Sequence, residues 1–171
     1  MEFKKIQLNG FKSFAEKADF LIEDGLTGIV GPNGCGKSNI VESLKWAMGE
    51  TSAKSMRGSG MEDVIFSGTS NKASKNIAEV TIEVENKDKE GPIKYREHDQ
   101  VQIKRKIEKD KGSKFYINGK EVRARDAQMF FADLSTGAHS PSMISQGRIG
   151  ALVTAKPTDR RAILELSLIH I

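Results

Sequence analysis

The sequence contains a single cysteine and no long apolar run, and both shortages limit what the protein can be. Cys35 cannot form a disulfide within the chain, so we expect a reducing compartment. The N-terminus alternates charged and apolar residues instead of presenting an apolar signal core, and no apolar stretch is long enough to span a bilayer. We therefore expect a soluble, cytoplasmic protein with no membrane partner.

Histidine and unbalanced charge are also scarce. The three histidines, His98, His139 and His170, have no cysteine or carboxylate at metal-ligand spacing, which argues against a zinc site. The chain has 27 basic and 23 acidic residues, and the resulting net charge of +4 is too small to indicate nucleic-acid binding by itself. The 171 residues suffice for one compact domain or for one lobe of a larger one.

What the chain does contain is a phosphate-binding motif. Residues 31–38 read Gly-Pro-Asn-Gly-Cys-Gly-Lys-Ser and match G-x-x-x-x-G-K-[ST] in full. The glycines let backbone N–H groups approach phosphate oxygens, the lysine reaches the β- and γ-phosphates, and the serine hydroxyl is placed to ligate Mg²⁺. The residues with these roles are Gly31, Gly34, Gly36, Lys37 and Ser38.

The flanks of this motif decide between a nucleotide site and a glycine-rich turn that binds nothing. Residues 26–30 form a short, mostly apolar run typical of a buried strand. Residues 37–48 carry apolar side chains at helical spacing, and Gly49 ends the pattern. A helix that begins at the loop points the positive end of its dipole at a bound anion, so the context favours the nucleotide site.

The rest of the chain changes to strand periodicity. Strands are predicted at residues 3–8, 18–22, 63–66, 77–85, 101–107, 114–117 and 120–122, and helices at 125–134 and from 157 onward. From residue 77 onward the strands alternate apolar and polar side chains, and Asn118-Gly119 predicts a hairpin turn. The predicted fold class is α/β, with a mixed core sheet and an antiparallel β-sheet subdomain.

Seven stretches together resemble the N-terminal ATPase head segment of the SMC proteins, the structural-maintenance-of-chromosomes ATPases, and most closely the bacterial chromosome-partition type. They are Leu-Asn-Gly-Phe-Lys-Ser-Phe at 8–14, the phosphate loop with Asn-Ile-Val at 31–41, Trp-Ala-Met-Gly-Glu at 46–50, Met-Arg-Gly at 56–58, Met-Glu-Asp-Val-Ile-Phe at 61–66, Tyr-Ile-Asn-Gly at 116–119 and Gln-Gly-Arg-Ile at 146–149. They run in the expected order over nearly the whole chain.

The resemblance implies an ABC-type P-loop NTPase head in which residues 1–165 are the N-terminal lobe. A C-terminal lobe would supply the serine–glycine signature, the acidic Walker B strand and the switch histidine, none of which we find in this sequence. The chain is therefore expected to be half of an ATP site, which contributes binding groups but shows no hydrolysis when isolated. Residues 166–171 replace the expected start of a coiled coil with an apolar end, which is either truncated or foreign-coded, or a hydrophobic cap that docks on the lobe.

The resemblance also assigns site residues by position. It gives the nucleotide contacts as Gly31, Pro32, Asn33, Gly34, Cys35, Gly36, Lys37, Ser38 and Asn39, with Lys12 and Ser13 in a nearby turn. Gln146 falls on the Q-loop glutamine, which completes the Mg²⁺ shell with Ser38 and contacts the attacking water. Arg57 falls on an arginine-bearing loop and would offset charge on the transferring phosphoryl group. The alternatives are a solvated loop glutamine and a surface arginine.

Cofactors and partners follow from the same resemblance. ATP and Mg²⁺ are the implied cofactors, and the implied partners are a C-terminal lobe of the same chain, a second head, kleisin-type accessory subunits and double-stranded DNA at the nucleoid. Candidate DNA contacts are the basic residues Lys104, Arg105, Lys120 and Arg123, for which the alternative is a solvated, salt-bridged sheet face. Two other functions stay open: the head of a related DNA-repair ATPase, and a nucleotide- or DNA-binding module without turnover.

Overall fold

A six-stranded antiparallel sheet is the framework of the part of the chain that the computed structural model describes, residues 1–89 and 91–134. The strands are β1 Glu2–Asn9, β2 Ala18–Leu21, β3 Ile77–Glu85, β4 Gln100–Glu108, β5 Gly112–Ile117 and β6 Lys120–Val122. Their spatial order is β2-β1-β3-β4-β5-β6, and every neighbouring pair is antiparallel.

Two helices and three short 3₁₀ turns complete the described part. The helices are α1 Lys37–Ala47 and α2 Ala124–Asp133, and the 3₁₀ turns are Lys54–Met56, Met61–Val64 and Ile93–Tyr95. Because β1 pairs with both β2 and β3, the chain from 22 to 76 leaves the sheet after β2 and returns as β3 on the other side of β1. This excursion carries the phosphate loop, α1 and Arg57.

The core lies between α1 and one face of the sheet. Ile82 of β3 pairs with Ile103 of β4, and alternation puts both on the buried face. Trp46 of α1 is fully buried in the same cluster, with its ring 5.4 Å from that of Phe11. Alternation of side chains along the strands therefore anchors the helix that follows the phosphate loop.

Helix α2 covers the other end of this core. Phe131 is fully buried, and its ring meets that of Phe130 edge to face at 5.4 Å. Both phenylalanines belong to the buried cluster that contains Trp46.

The prediction of a strand at residues 63–66 is wrong. The chain forms the 3₁₀ turn Met61–Val64 instead, and Ile65 makes only an isolated bridge to Phe11. The reason is local: the Asp63 carboxylate accepts hydrogen bonds from the backbone N–H groups of Ser59 and Gly60, which closes a turn rather than an extended segment.

The strand predicted at residues 26–30 is also absent from the described sheet. Leu26 is 98% exposed and Val30 is 93% exposed. A buried strand needs hydrogen-bonded neighbours, and the described sheet ends at β2 without offering one. The described sheet accordingly holds antiparallel pairs alone, and a mixed sheet needs a strand from elsewhere.

Several predictions concern residues that the structure does not describe. They are the helix from 157, Gln146, and the apolar end at 166–171. Neither described helix is long and apolar enough to cross a bilayer.

Candidate nucleotide site

The phosphate loop enters α1 through a left-handed glycine. Gly36 is the N-cap residue with φ 98°, a conformation that favours glycine. A Cβ at Gly36 would lie 2.6 Å from the Ser13 Oγ, so the loop and the 11–14 turn approach too closely for a side chain there. Gly34 has φ 83°. Glycines therefore stand where the predicted loop requires them.

Lys37 lies against the loop. Its Nζ donates to the carbonyl oxygens of Gly31 at 2.5 Å and Pro32 at 2.7 Å, and it lies 3.8 Å from the Cys35 Sγ. The ammonium is thereby kept beside the loop backbone. A phosphate oxygen at this place would accept a hydrogen bond from the same group.

Ser38 is exposed in the first turn of α1, where backbone N–H groups have no intrahelical acceptor. An exposed hydroxyl oxygen suits a hard cation such as Mg²⁺. Within residues 1–89 and 91–134, no group of three or more His, Cys, Asp or Glu side chains could hold a metal ion. A Mg²⁺ ion would therefore need Ser38 together with oxygens from the nucleotide or from elsewhere.

Asn39 joins two segments that were predicted separately. Its Nδ2 donates to the Ser13 Oγ at 2.9 Å, and its Oδ1 accepts from the Arg57 Nη2 at 3.0 Å. The structure thus brings the 11–14 turn, the start of α1 and the loop of Arg57 together. Gln146, the other predicted catalytic residue, lies outside the described residues.

Glu42 is the member of this site that the sequence interpretation missed. One carboxylate oxygen pairs with the Lys12 Nζ and the other with the Arg57 Nε, and Lys12 also donates to the Met56 carbonyl oxygen. Glu42 lies on the opposite side of α1 from the apolar positions 40, 41, 44, 47 and 48, so the helical pattern did not indicate that it is buried. Which partners it has depends on residues far along the chain, and the helical pattern says nothing of those.

The loop that carries Arg57 is held by a buried side chain before the arginine and by hydrogen bonds after it. Arg57 itself has φ 54°, and Met56 beside it is buried. Farther along, hydrogen bonds from Gly60 and Ser59 hold the pKa of the Asp63 carboxyl below its ordinary value. The guanidinium is therefore presented from a constrained loop.

The prediction that Arg105 contacts DNA is wrong, because this residue is only 3% exposed. Its guanidinium carbon lies 4.5 Å from the centre of the Trp46 ring and 4.7 Å from that of Phe115. Its Nη1 donates to the carbonyl oxygens of Trp46 and Glu50, each at 2.7 Å. Burial lowers the pKa of Arg105 to about 10, and the guanidinium cannot reach a DNA phosphate.

The other three DNA candidates lie nearer the surface. Lys104 is half-buried on the outer face of the sheet, Lys120 is exposed, and Arg123 is exposed with its Nε 3.1 Å from the Asp126 Oδ2. Carboxylates interleave with lysines around them; Lys114, for example, pairs with Glu121 at 3.0 Å. Charge on this face is mixed, and among the three candidates the charge of Arg123 is compensated by Asp126.

Most of the chain is similar to proteins of one known family. The family model described as "RecF/RecN/SMC N terminal domain" matches residues 2–148. The Chromosome partition protein Smc of Rhodopseudomonas palustris is 53% identical over 165 residues, which cover 96% of this chain and 14% of that protein. The chain therefore spans only a small part of the length of this relative.

Solved structures agree in fold. A chain from work on the ATP-driven dimerization and DNA-stimulated activation of SMC ATPases is 32% identical with a TM-score of 0.87, covering 97% of this chain and 99% of that one. An Smc head domain of Pyrococcus furiosus, with an extended coiled coil and bound to the C-terminal domain of ScpA, is 32% identical with a TM-score of 0.84, covering 95% of this chain and 40% of that one. The α/β head fold is thereby confirmed.

Proposed function

The chain belongs to the RecF/RecN/SMC N-terminal domain family, and on that premise we propose that it is the N-terminal lobe of a chromosome-partition ATPase head. The observation that carries the proposal is the convergence of three segments at the start of α1. Asn39 holds both Ser13 and Arg57 there, directly beyond the phosphate loop. A glycine-rich turn without a ligand has no need of such a cluster.

ATP would bind with its phosphates at the loop. The residues that would hold it are Gly31, Pro32, Asn33, Gly34, Cys35, Gly36, Lys37, Ser38 and Asn39, with Lys12 and Ser13 beside them. Lys37 would exchange its carbonyl acceptors for phosphate oxygens, and the positive end of the α1 dipole would face the same anion. Mg²⁺, held by Ser38 and Gln146, would neutralise charge that develops on the phosphates.

Hydrolysis would require a second lobe. The exposed apolar segment at 26–30 supports this, because Leu26 and Val30 are left in solvent in the described part. A strand from a C-terminal lobe would cover them and bring the catalytic carboxylate that we do not find in this sequence. Arg57 and Gln146 would then complete the catalytic group from the side of this chain.

The wider assembly is proposed on the same basis. A second head, a kleisin-type subunit and double-stranded DNA would be the partners of the complete, cytoplasmic protein at the nucleoid, in chromosome condensation and segregation. Among the DNA candidates, the exposure of Lys120 and Arg123 and the outward position of Lys104 support a contribution to phosphate binding. Such contacts would be independent of DNA sequence.

A chimera tests the proposal. This chain would replace the matching 165-residue segment of the Rhodopseudomonas palustris relative. We expect the chimera to bind ATP–Mg²⁺ and hydrolyse it, while the isolated chain binds ATP without turnover. Hydrolysis by the highly purified isolated chain would contradict the two-lobe proposal.

The second candidate, a binding module without turnover, predicts nucleotide binding by a chimera that never hydrolyses ATP. The naming of the Rhodopseudomonas palustris relative as a chromosome partition protein favours chromosome segregation over DNA repair.

A further inference from the structure

We propose that Glu42 is a positioning residue that sets the pose of Arg57 for ATP hydrolysis, an inference that rests on the proposed function. Glu42 lies in the second turn of α1, and its two carboxylate oxygens are shared between Arg57 and Lys12. Its role would be to act on the nucleotide through Arg57 and not by direct contact.

Burial separates the roles of the two partners. The Glu42 side chain is 11% exposed, whereas the Arg57 side chain is 56% exposed. The carboxylate is therefore held within the protein on a helix, while the guanidinium extends from it toward solvent. Two cations share one anion, so the group keeps a net positive charge, which suits a position beside a phosphate site.

The geometry of the guanidinium supports positioning rather than sequestration. Its Nε, the nitrogen nearest the main chain, pairs with Glu42, and its Nη2 donates to Asn39, the residue after Ser38. A guanidinium has five N–H donors, so these contacts leave others for a phosphoryl oxygen. Glu42 thus binds the Nε end of the Arg57 guanidinium, which leaves the Nη groups at the start of α1.

Lys12 reinforces the same loop. Its Nζ pairs with Glu42 and donates to the carbonyl oxygen of Met56, the residue before Arg57. A single carboxylate therefore fixes Arg57 directly through its side chain and indirectly through its neighbour. Within residues 1–89 and 91–134, removal of the Glu42 carboxylate would leave the Arg57 side chain with its hydrogen bond to Asn39.

Two variants of the chimera separate charge from shape. Glu42→Gln keeps the shape and removes the charge, whereas Glu42→Asp keeps the charge and is one methylene shorter. Positioning through charge predicts that kcat falls on the order of tenfold in Glu42→Gln, with KM for ATP within about twofold, and that Glu42→Asp retains more activity. A packing role predicts the opposite order and would overturn the inference. Glu16→Gln, at an exposed carboxylate paired with Lys72, is the matched control.

A double-mutant cycle identifies the partner. In an Arg57→Ala background, Glu42→Gln should change kcat by less than about twofold, because the group through which Glu42 acts is gone. Independent, multiplicative losses would overturn the inference. Absence of ATP hydrolysis in the unmodified chimera would instead contradict the proposed function, so the two failures are distinguishable.

Thermal unfolding of each variant checks that it is folded at the assay temperature. If Glu42→Gln does not fold, Arg57→Lys gives the test, because lysine keeps the charge and lacks the second nitrogen that joins Glu42 to Asn39. We then expect kcat to fall as far as in Arg57→Ala. An unchanged kcat in Arg57→Lys would overturn the inference.

Discussion

Arg105 of β4 donates a hydrogen bond from its Nη1 to the Trp46 carbonyl oxygen at 2.7 Å, and the Trp46 ring lies beside the same guanidinium. A second bond from this nitrogen reaches the Glu50 carbonyl oxygen. The last carbonyl groups of a helix have no intrahelical partner, and a cation there also complements the helix dipole. Helix α1 therefore has the phosphate loop at one end and a buried cation from the sheet at the other.

Replacing this cation should destabilise the fold. Arg105→Met removes a buried guanidinium together with its hydrogen bonds to the Trp46 and Glu50 carbonyl oxygens and its contacts with the Trp46 and Phe115 rings, and we expect it to lower the free energy of unfolding by about 2 to 4 kcal/mol in urea denaturation. Lys104→Met, one position away on the outer face, should stay within about 0.5 kcal/mol of the unmodified chain. Equal effects of the two substitutions would mean that Arg105 is not a structural anchor.

Lys37 is the charge partner expected for phosphate. Lys37→Ile should weaken ATP–Mg²⁺ binding to the chimera by at least about tenfold in isothermal titration calorimetry, because a charge-assisted contact is lost. Lys17→Ile, at an exposed lysine outside the site, should bind as the unmodified protein does. Equal affinity in the Lys37 variant would refute the phosphate-loop assignment.

The Asp63 carboxyl should make the stability of the loop that carries Arg57 depend on pH. Its folded pKa lies below the ordinary value of 3.8, so its stabilising effect is complete above that pH and is lost as the pH falls through the lower folded pKa. We expect the midpoint of thermal unfolding to be higher for the unmodified chain than for Asp63→Asn at neutral pH, and the difference to shrink below pH 3.8. A difference that is independent of pH would show that the carboxylate charge has no part in it.

The exposed segment at 26–30 should matter for assembly and not for the stability of this chain. Val30→Asp changes a residue that is already 93% exposed, so we expect little change in urea unfolding of the isolated chain. Placed in the chimera, the same substitution should abolish ATP hydrolysis, since a charge would be buried against the second lobe. Ile93→Asp, at an isoleucine that is 85% exposed elsewhere, is the control and should leave hydrolysis intact.

DNA binding should depend on exposed cations alone. Lys120→Ala should weaken the binding of duplexes of any sequence and reduce the salt slope by about one. Arg123→Ala should have a smaller effect, because Asp126 already compensates its charge. If the Lys120 substitution leaves the salt slope of the chimera unchanged, DNA is bound by another surface.

Local patterns predicted much of this fold. The phosphate motif, α1 and the strands from residue 77 onward were all predicted from spacing, because a helix or a paired strand leaves its own period in the sequence. The same alternation put residues 101, 103, 105 and 107 on one face of β4, so it already indicated that Arg105 is buried. The cluster of basic residues suggested that Arg105 contacts DNA, whereas the alternation along β4 places its side chain on the buried face.

The sequence by itself determined which residues match the phosphate motif, where α1 begins and ends, and which face of each long strand is buried, since these depend on residues within a few positions of one another. Only the tertiary structure decided that Glu42 joins Lys12 to Arg57, that Arg105 caps the far end of α1, and that residues 26–30 lie uncovered beside the described sheet. Those outcomes depend on which distant segments the strand order brings together, and a local period carries no information about partners dozens of residues away.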